Sequence, residues 1–376
     1  MHGTGTSKRW PLGALGLVAV MVFAACSGSA TPTAAVTTAP GASSSAVAPT
    51  TTPTSAVSAS TGAVTLPTPE VSAVKLGLLQ ATTGHDAEIA IEDGLFTKNG
   101  LNVTYSTFTS QGSEITALLA GQIDIALNIG VAEDMASQTT NTPLEVVMTE
   151  KDNLSDNLYT LKSITSAAQL KGHAIAISSF GSVTYGEALI AVKALGLAPT
   201  DVTITQIGND AARRAALAAG SVGASLDDQS ELASMTAAGF NDLLQLSQLS
   251  YGLPVGDAIT AKAYAQKNPN TVLAVVASLI EGVHRFLSNP SDAEQAAVKF
   301  ENIDLPTATT NVQGDLPLWG PIDGRPKLAD FQAAQALYEK TEPTIGSIDV
   351  TQTFTTQFCD QLKSLGWYQA MGVPTP

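Results

Sequence analysis

Cysteine is scarce in this chain: Cys26 and Cys359 are the only two in 376 residues. Two thiols make at most one bridge, which excludes a disulfide framework and a four-cysteine metal site. Histidine is nearly as rare, and His2, His85, His173 and His284 are scattered with no pair at metal-ligand spacing. Basic residues are outnumbered, 18 against 33 acidic ones, for a formal net charge of −15. A surface of that sign repels phosphate backbones, which excludes nucleic acid as a partner. Charged residues of both signs reach only 14%, against 44% hydrophobic residues, the balance of a packed globule with a quiet surface. The sharpest gap is local. Between Arg9 and Glu70 there is no Asp, Glu, Lys or Arg at all.

That gap divides into two parts. Lys8 and Arg9 precede an apolar run at residues 12–25 (LGALGLVAVMVFAA), of signal-peptide length and too short to span a bilayer comfortably. It ends in Phe23-Ala24-Ala25-Cys26, which resembles a lipobox, with Phe23 where Leu is usual. Residues 1–25 are therefore read as a lipoprotein signal peptide and Cys26 as the lipid-attachment site. Residues 26–72 are almost entirely Ala, Thr, Ser, Pro, Gly and Val. Such a segment has too little large apolar surface to offset backbone entropy, so it reads as a disordered tether between anchor and fold.

Beyond the tether the chain repeats itself. Residues 117–127 read ALLAGQIDIAL and residues 216–226 read ALAAGSVGASL. Each phrase is the end of a helix, a glycine stop and a strand. Each closes a longer order of strand, helix, strand, helix, strand. The first pass has strands at residues 74–79, 101–108 and 123–127, and the second at 173–178, 201–207 and 222–226. Strands that alternate with helices pair in parallel, because a parallel return needs a crossover. Two such units predict an α/β architecture of two lobes: lobe one from residues 73–160 and 256–376, lobe two from 161–255. The segments at 158–161 and 251–260 would carry the chain out and back. Residues 269–286 predict a long amphipathic helix.

In open α/β sheets a ligand lies beyond the carboxyl ends of the strands, where loops feed helix N-termini. In lobe one those loops hold Gln80, Thr82, Thr83 and His85, then Gln111, Gly112 and Ser113, then Asn128. In lobe two they hold Ser179, Phe180, Gly181 and Ser182, then Asn209, then Asp227. Gly112-Ser113 and Gly181-Ser182 form a matched pair, one per lobe, able to approach a small anion closely and donate to it. Asp227, Asp228 and Glu133 would instead favour N–H donors or positive charge. Phe180, Tyr251 and Trp319 can stack on a heteroaromatic ring. Arg213 and Arg214 read as solvated surface residues.

The ordered motifs resemble a known family. Residues 90–101 (AIEDGLFTKNGL), 117–127, 170–182 (LKG to GS) and 194–199 (ALGLAP) are similar to blocks of the nitrate/sulfonate/taurine-type solute-binding proteins, a group that also contains thiamine-pyrimidine-synthase-like proteins. The resemblance implies a type II periplasmic-binding-protein fold, each lobe a mostly parallel sheet flanked by helices and joined by two hinge strands. It implies capture of a sulfonate, nitrate or taurine-like anion, or a small heterocycle, and delivery to an ABC permease by hinge closure. It implies a monomer without cofactor or metal, held by lipid on the extracytoplasmic face of the cell membrane. A sensory lipoprotein is the alternative reading. An enzyme like the thiamine-pyrimidine synthases is the weaker one, since their cysteine cluster is missing here.

Overall fold

The computed structural model describes residues 64–79, 85–151, 153–300, 302–319 and 322–375. Its described residues hold ten strands: β1 Ala73–Leu79, β2 Asn102–Phe108, β3 Ile125–Ile129, β4 Leu144–Lys151, β5 Asp156–Thr160, β6 Ala174–Ile177, β7 Thr203–Gln206, β8 Ala224–Asp228, β9 Asn241–Gln245 and β10 Gly256–Ala261. They form two five-stranded sheets, ordered β2-β1-β3-β10-β4 and β7-β6-β8-β5-β9. The strand-helix alternation has the expected consequence. β1 is parallel to β2 and β3, and β6 is parallel to β7 and β8. In each sheet one strand runs against its neighbours, β10 in the first and β5 in the second.

The repeated phrase is the same local structure twice. After the helix Gln111–Leu119, Gly121 takes φ 69°, its N–H bonds to Leu118 O at 3.0 Å, and Gln122 N reaches Ala117 O at 2.9 Å. After Asp210–Ala218, Gly220 also takes φ 69°, bonding to Leu217 O at 2.9 Å, with Ser221 N to Ala216 O at 2.9 Å. Both are Schellman stops, which need a residue in the left-handed region. A Cβ at either glycine would meet nothing within 4 Å, so only backbone strain opposes a side chain. Gly121→Ala and Gly220→Ala should therefore each cost about 1 kcal/mol. Urea unfolding should give similar losses for both; a loss several times larger at one would mean the two turns are not equivalent.

Strand faces alternate as the pleat requires. In β3, Ile125 and Leu127 face a core built on the helix Pro269–Ser288, while Ala126 faces the helices Gln111–Leu119 and Val131–Ser137. Pro269–Ser288 is long and apolar enough to cross a membrane, yet 78% of its most apolar window is buried, as befits a core helix. It crosses His85–Glu92 so closely that a Cβ on Gly282 would lie 2.3 Å from Asp86 O.

The structure differs from the sequence reading in four places. The end of the segment read as a disordered tether is packed on the first lobe: Val64 and Leu66 lie against its core, and Glu70 accepts from Asn270 N at 3.0 Å and Thr271 N at 2.9 Å, contacts set by a helix two hundred residues on. The strand expected at 158–161 is β5, and it belongs to the second sheet, so the chain changes sheets between Lys151 and Asp156 rather than after 160. β4 and β9 were not anticipated, because neither follows the strand-helix rhythm of the repeat. The carboxy-terminal segments do not keep to the first sheet. Leu305–Asp315 packs on the turn Gln229–Glu231, and Leu328–Tyr338 packs on both Val131–Ser137 and Val183–Ala194, strapping one lobe to the other.

Candidate functional site

Chain crossings between the sheets run side by side. Val255 N, on the return, bonds to Lys151 O on the way out at 3.0 Å. Around this hinge the carboxyl ends of the parallel strands converge, and each loop is fixed by a helix cap. Ser110 caps Gln111–Leu119 by accepting from Ser113 N, Ser182 caps Val183–Ala194 by accepting from Tyr185 N, and Asn209 caps Asp210–Ala218 by accepting from Ala212 N.

The two lobes touch through these caps. Gln111, in the first lobe, donates from Nε2 to Asn128 O at 2.8 Å. Its Oε1 accepts from Gly130 N at 3.3 Å and from Val183 N, in the second lobe, at 3.0 Å. Gly112 N donates to Ser179 Oγ at 3.1 Å. Of the donors that the sequence suggested for an anion, Gly112 N is thus engaged across the interface, while the Ser182 hydroxyl donates within its own lobe to Ser179 O at 2.6 Å.

Behind this latch lies a cavity of about 60 Å³, bounded by Gln111, Asn128 and Lys151 on one side and by Asp156, Arg213 and Asp228 on the other. Lys151 ends β4 and is only 4% exposed, and its Nζ has no hydrogen-bond partner among the described residues. It rests 4.8 Å above the Trp319 ring, which is backed edge-on by Phe286 at 5.3 Å. Two carboxyl pairs stand in the same region. Asp156 is hydrogen-bonded to Glu187, and burial together with that neighbouring charge pushes its pKa well up. Asp228 is hydrogen-bonded to Asp315, and burial and the Asp315 charge act on it in the same direction. The Lys151 charge offsets part of this on Asp228 and Glu187. Arg213 is committed to its own lobe through Leu226 O at 3.0 Å, Gly208 O at 2.8 Å and Asp210.

Of the residues singled out from the sequence, Gln111, Asn128 and Asn209 line the cavity. Gly112, Ser179, Gly181 and Ser182 sit at the interlobe contact, where Gly181, at φ 85°, packs on the Glu133 carboxylate. Gln80, Thr82, Thr83 and Cys26 lie outside the described residues, and His85 opens the helix His85–Glu92. Four others are turned away from the cavity. The exposed Ser113 hydroxyl donates to Ser110 O at 2.7 Å. Asp227 is gripped by Arg214 through two bonds of 2.9 Å, because neighbouring strand residues point to opposite faces. Phe180 is 54% exposed on the outer side of its turn, and Tyr251 packs beneath Lys193 at 5.8 Å. Trp319 stays clear of the cavity itself and acts through Lys151. Lys151 and Asp156 are cleft residues the sequence did not reveal, and Arg213, expected at the solvated surface, is buried because its own lobe's carbonyls and Asp210 hold its guanidinium. The only signal was a charged triplet, Glu150-Lys151-Asp152, ending an apolar run.

Two parallel-sheet lobes, two adjacent crossings and a buried polar cavity between the strand ends define the type II periplasmic-binding-protein fold. Solved structures with this fold include the periplasmic aliphatic sulphonate-binding protein SsuA from Escherichia coli, with a TM-score of 0.61 at 20% identity over 75% of this chain and 92% of that one. They also include the periplasmic nitrate-binding protein NrtA from Synechocystis PCC 6803, with a TM-score of 0.67 at 15% identity over 82% and 92%. In sequence, the taurine-binding periplasmic protein of Escherichia coli (strain K12) is 27% identical over 290 residues, covering 76% of this chain and 87% of that protein. The profile of the family described as NMT1/THI5 like matches residues 87–293, and the chain belongs to that family, among the nitrate/sulfonate/taurine solute-binding proteins.

Proposed function

We propose that this protein is an extracytoplasmic solute-binding lipoprotein, tethered through Cys26, that closes on a small solute between its lobes and hands it to an ABC permease. The solute is read as a zwitterion of few atoms, carrying an oxyanion and an amine. The observation behind this is Lys151: a buried amine without a hydrogen-bond partner among the described residues, beside a small cavity also lined by the buried Asp156 and Asp228. A buried ammonium that makes no hydrogen bond is costly, and a ligand oxyanion would accept one from it. The carboxyls are arranged for the other end, since a ligand ammonium offsets the negative charge that burial disfavours on Asp156 and Asp228. The taurine-binding relative supports this choice, as taurine carries both groups.

Calorimetric titration with taurine, ethanesulfonate and ethylammonium separates the parts. Taurine should bind best, and Lys151→Met should weaken it at least about a hundredfold, as expected when one side of a buried ion pair is removed. Ethanesulfonate binding as tightly as taurine would remove the role of the carboxyls. Lys151→Met binding taurine like the parent would remove the site.

A further inference from the structure

A second hollow, sharing no lining residue with the cleft, lies along the edge of the second sheet. Its volume is about 790 Å³, within the range of roughly 300–1,000 Å³ typical of small-molecule sites. The helix Val183–Ala194 presents Tyr185, Leu189 and Val192 to it, the edge strand β7 presents Ile204, and the strap helix Leu328–Tyr338 presents Leu337. Phe180 also lines it, 54% exposed and edge-on to Tyr185 at 5.4 Å, and is one of six large apolar side chains left exposed among the described residues. Apolar surface left open in this way is uncommon unless something covers it.

Charge indicates what that is. The two charged residues that line the hollow, Lys193 and Lys340, are both cationic, on a chain whose net charge is −15. A local patch of positive sign on so acidic a molecule selects for an anion, while the aromatic and aliphatic walls select for an apolar body. We propose that this hollow binds a small amphiphilic anion: an alkyl or aryl body carrying one carboxylate or sulfonate, with the body against Leu189, Val192 and Leu337 and the head between the two lysines. The site is separate from the cleft and takes a ligand too apolar for it.

Decanoate and decyltrimethylammonium, matched in chain length and opposite in charge, test this by calorimetric titration into the full chain. Decanoate should bind at one site per chain and more tightly than its cationic counterpart. Lys193→Glu combined with Lys340→Glu should weaken decanoate about tenfold, or about 1.4 kcal/mol, and strengthen the cation. Both lysines are exposed, so the variant should fold and should titrate taurine as the parent does. Equal affinity for the two amphiphiles, or decanoate binding unchanged in the double variant, overturns the proposal. So does a concentration-dependent dimer in sedimentation that excludes decanoate, which would assign the hollow to a second copy of the chain.

Discussion

Glu114→Gln is expected to stabilise the fold by up to about 5 kcal/mol at about pH 9 and to change it little at about pH 5. Glu114 projects from the helix Gln111–Leu119 under the first sheet and is fully buried. Its Oε1 accepts from Leu127 N at 3.1 Å and fills the space over Gly77, where a Cβ would come within 2.5 Å of it. Its Oε2 has no partner among the described residues. Burial pushes its pKa from 4.5 up to about 8, only partly countered by the Leu127 N–H. The raised folded pKa fixes the sign. The stabilisation from the neutral carboxyl is fully present below about pH 4.5, and it is lost as pH rises through about 8, because the folded state must then ionise a group in a dry site. Glutamine keeps the acceptor for Leu127 and removes the charge, so it escapes that loss. Urea unfolding of both proteins at the two pH values gives a difference of differences that isolates Glu114 together with the smaller relief its lost charge brings to Glu133 and Glu150. Equal pH slopes for parent and variant would mean that Glu114 ionises in the fold at no cost.

The same chemistry marks how far the sequence could be read. Periodicity and glycine stops located the parallel halves of both sheets, since Gly121 and Gly220 leave a local signature that needs no tertiary context. β4, β5 and β9 escaped or shifted, because a strand that crosses from one sheet to the other is defined by its partners and not by its own pattern. The cleft loops of the second lobe were legible for a similar reason, since Ser182 and Asn209 are caps and caps are local; in the first lobe the cap is Ser110, three residues before the serine that the pattern singled out. What occupies the cleft was not. Lys151 and Asp156 stand at the two ends of one crossing, and their burial depends on β10 and the Trp319 loop closing over them from far along the chain. Asp227 and Asp228 differ by one position, and only strand phase decides which faces the cavity and which faces Arg214.

Cysteines placed at Gly112 and Ser179 should form a disulfide that locks the lobes shut, and Gly130→Val should slow its formation about ten- to a hundredfold. A Cβ on Gly112 would lie 3.4 Å from the Cβ of Ser179, close to the roughly 3.5–4.5 Å that a disulfide requires. Cys359 is buried and so does not compete, and Cys26→Ser removes the other thiol. Gly130 bears on the same interface from a different angle. Its φ of −81° suits any residue, so a side chain there leaves the first lobe unstrained. The obstruction lies in the second lobe: an added Cβ would stand 2.8 Å from Val183 N and 3.0 Å from Ser182 C, both backbone atoms at a helix start that cannot turn aside. A valine side chain at this position therefore penalises the closed arrangement alone, by the 1–3 kcal/mol typical of about one side chain too many. Cross-linking rate, read from gel mobility under mild oxidation, reports this without any ligand. Equal rates with and without the Gly130→Val substitution would mean that Gly130 and Val183 do not meet when the lobes close. If the staple forms, taurine added afterwards should enter far more slowly than in the reduced protein, because the cross-link between positions 112 and 179 holds the lobes together over the way to Lys151.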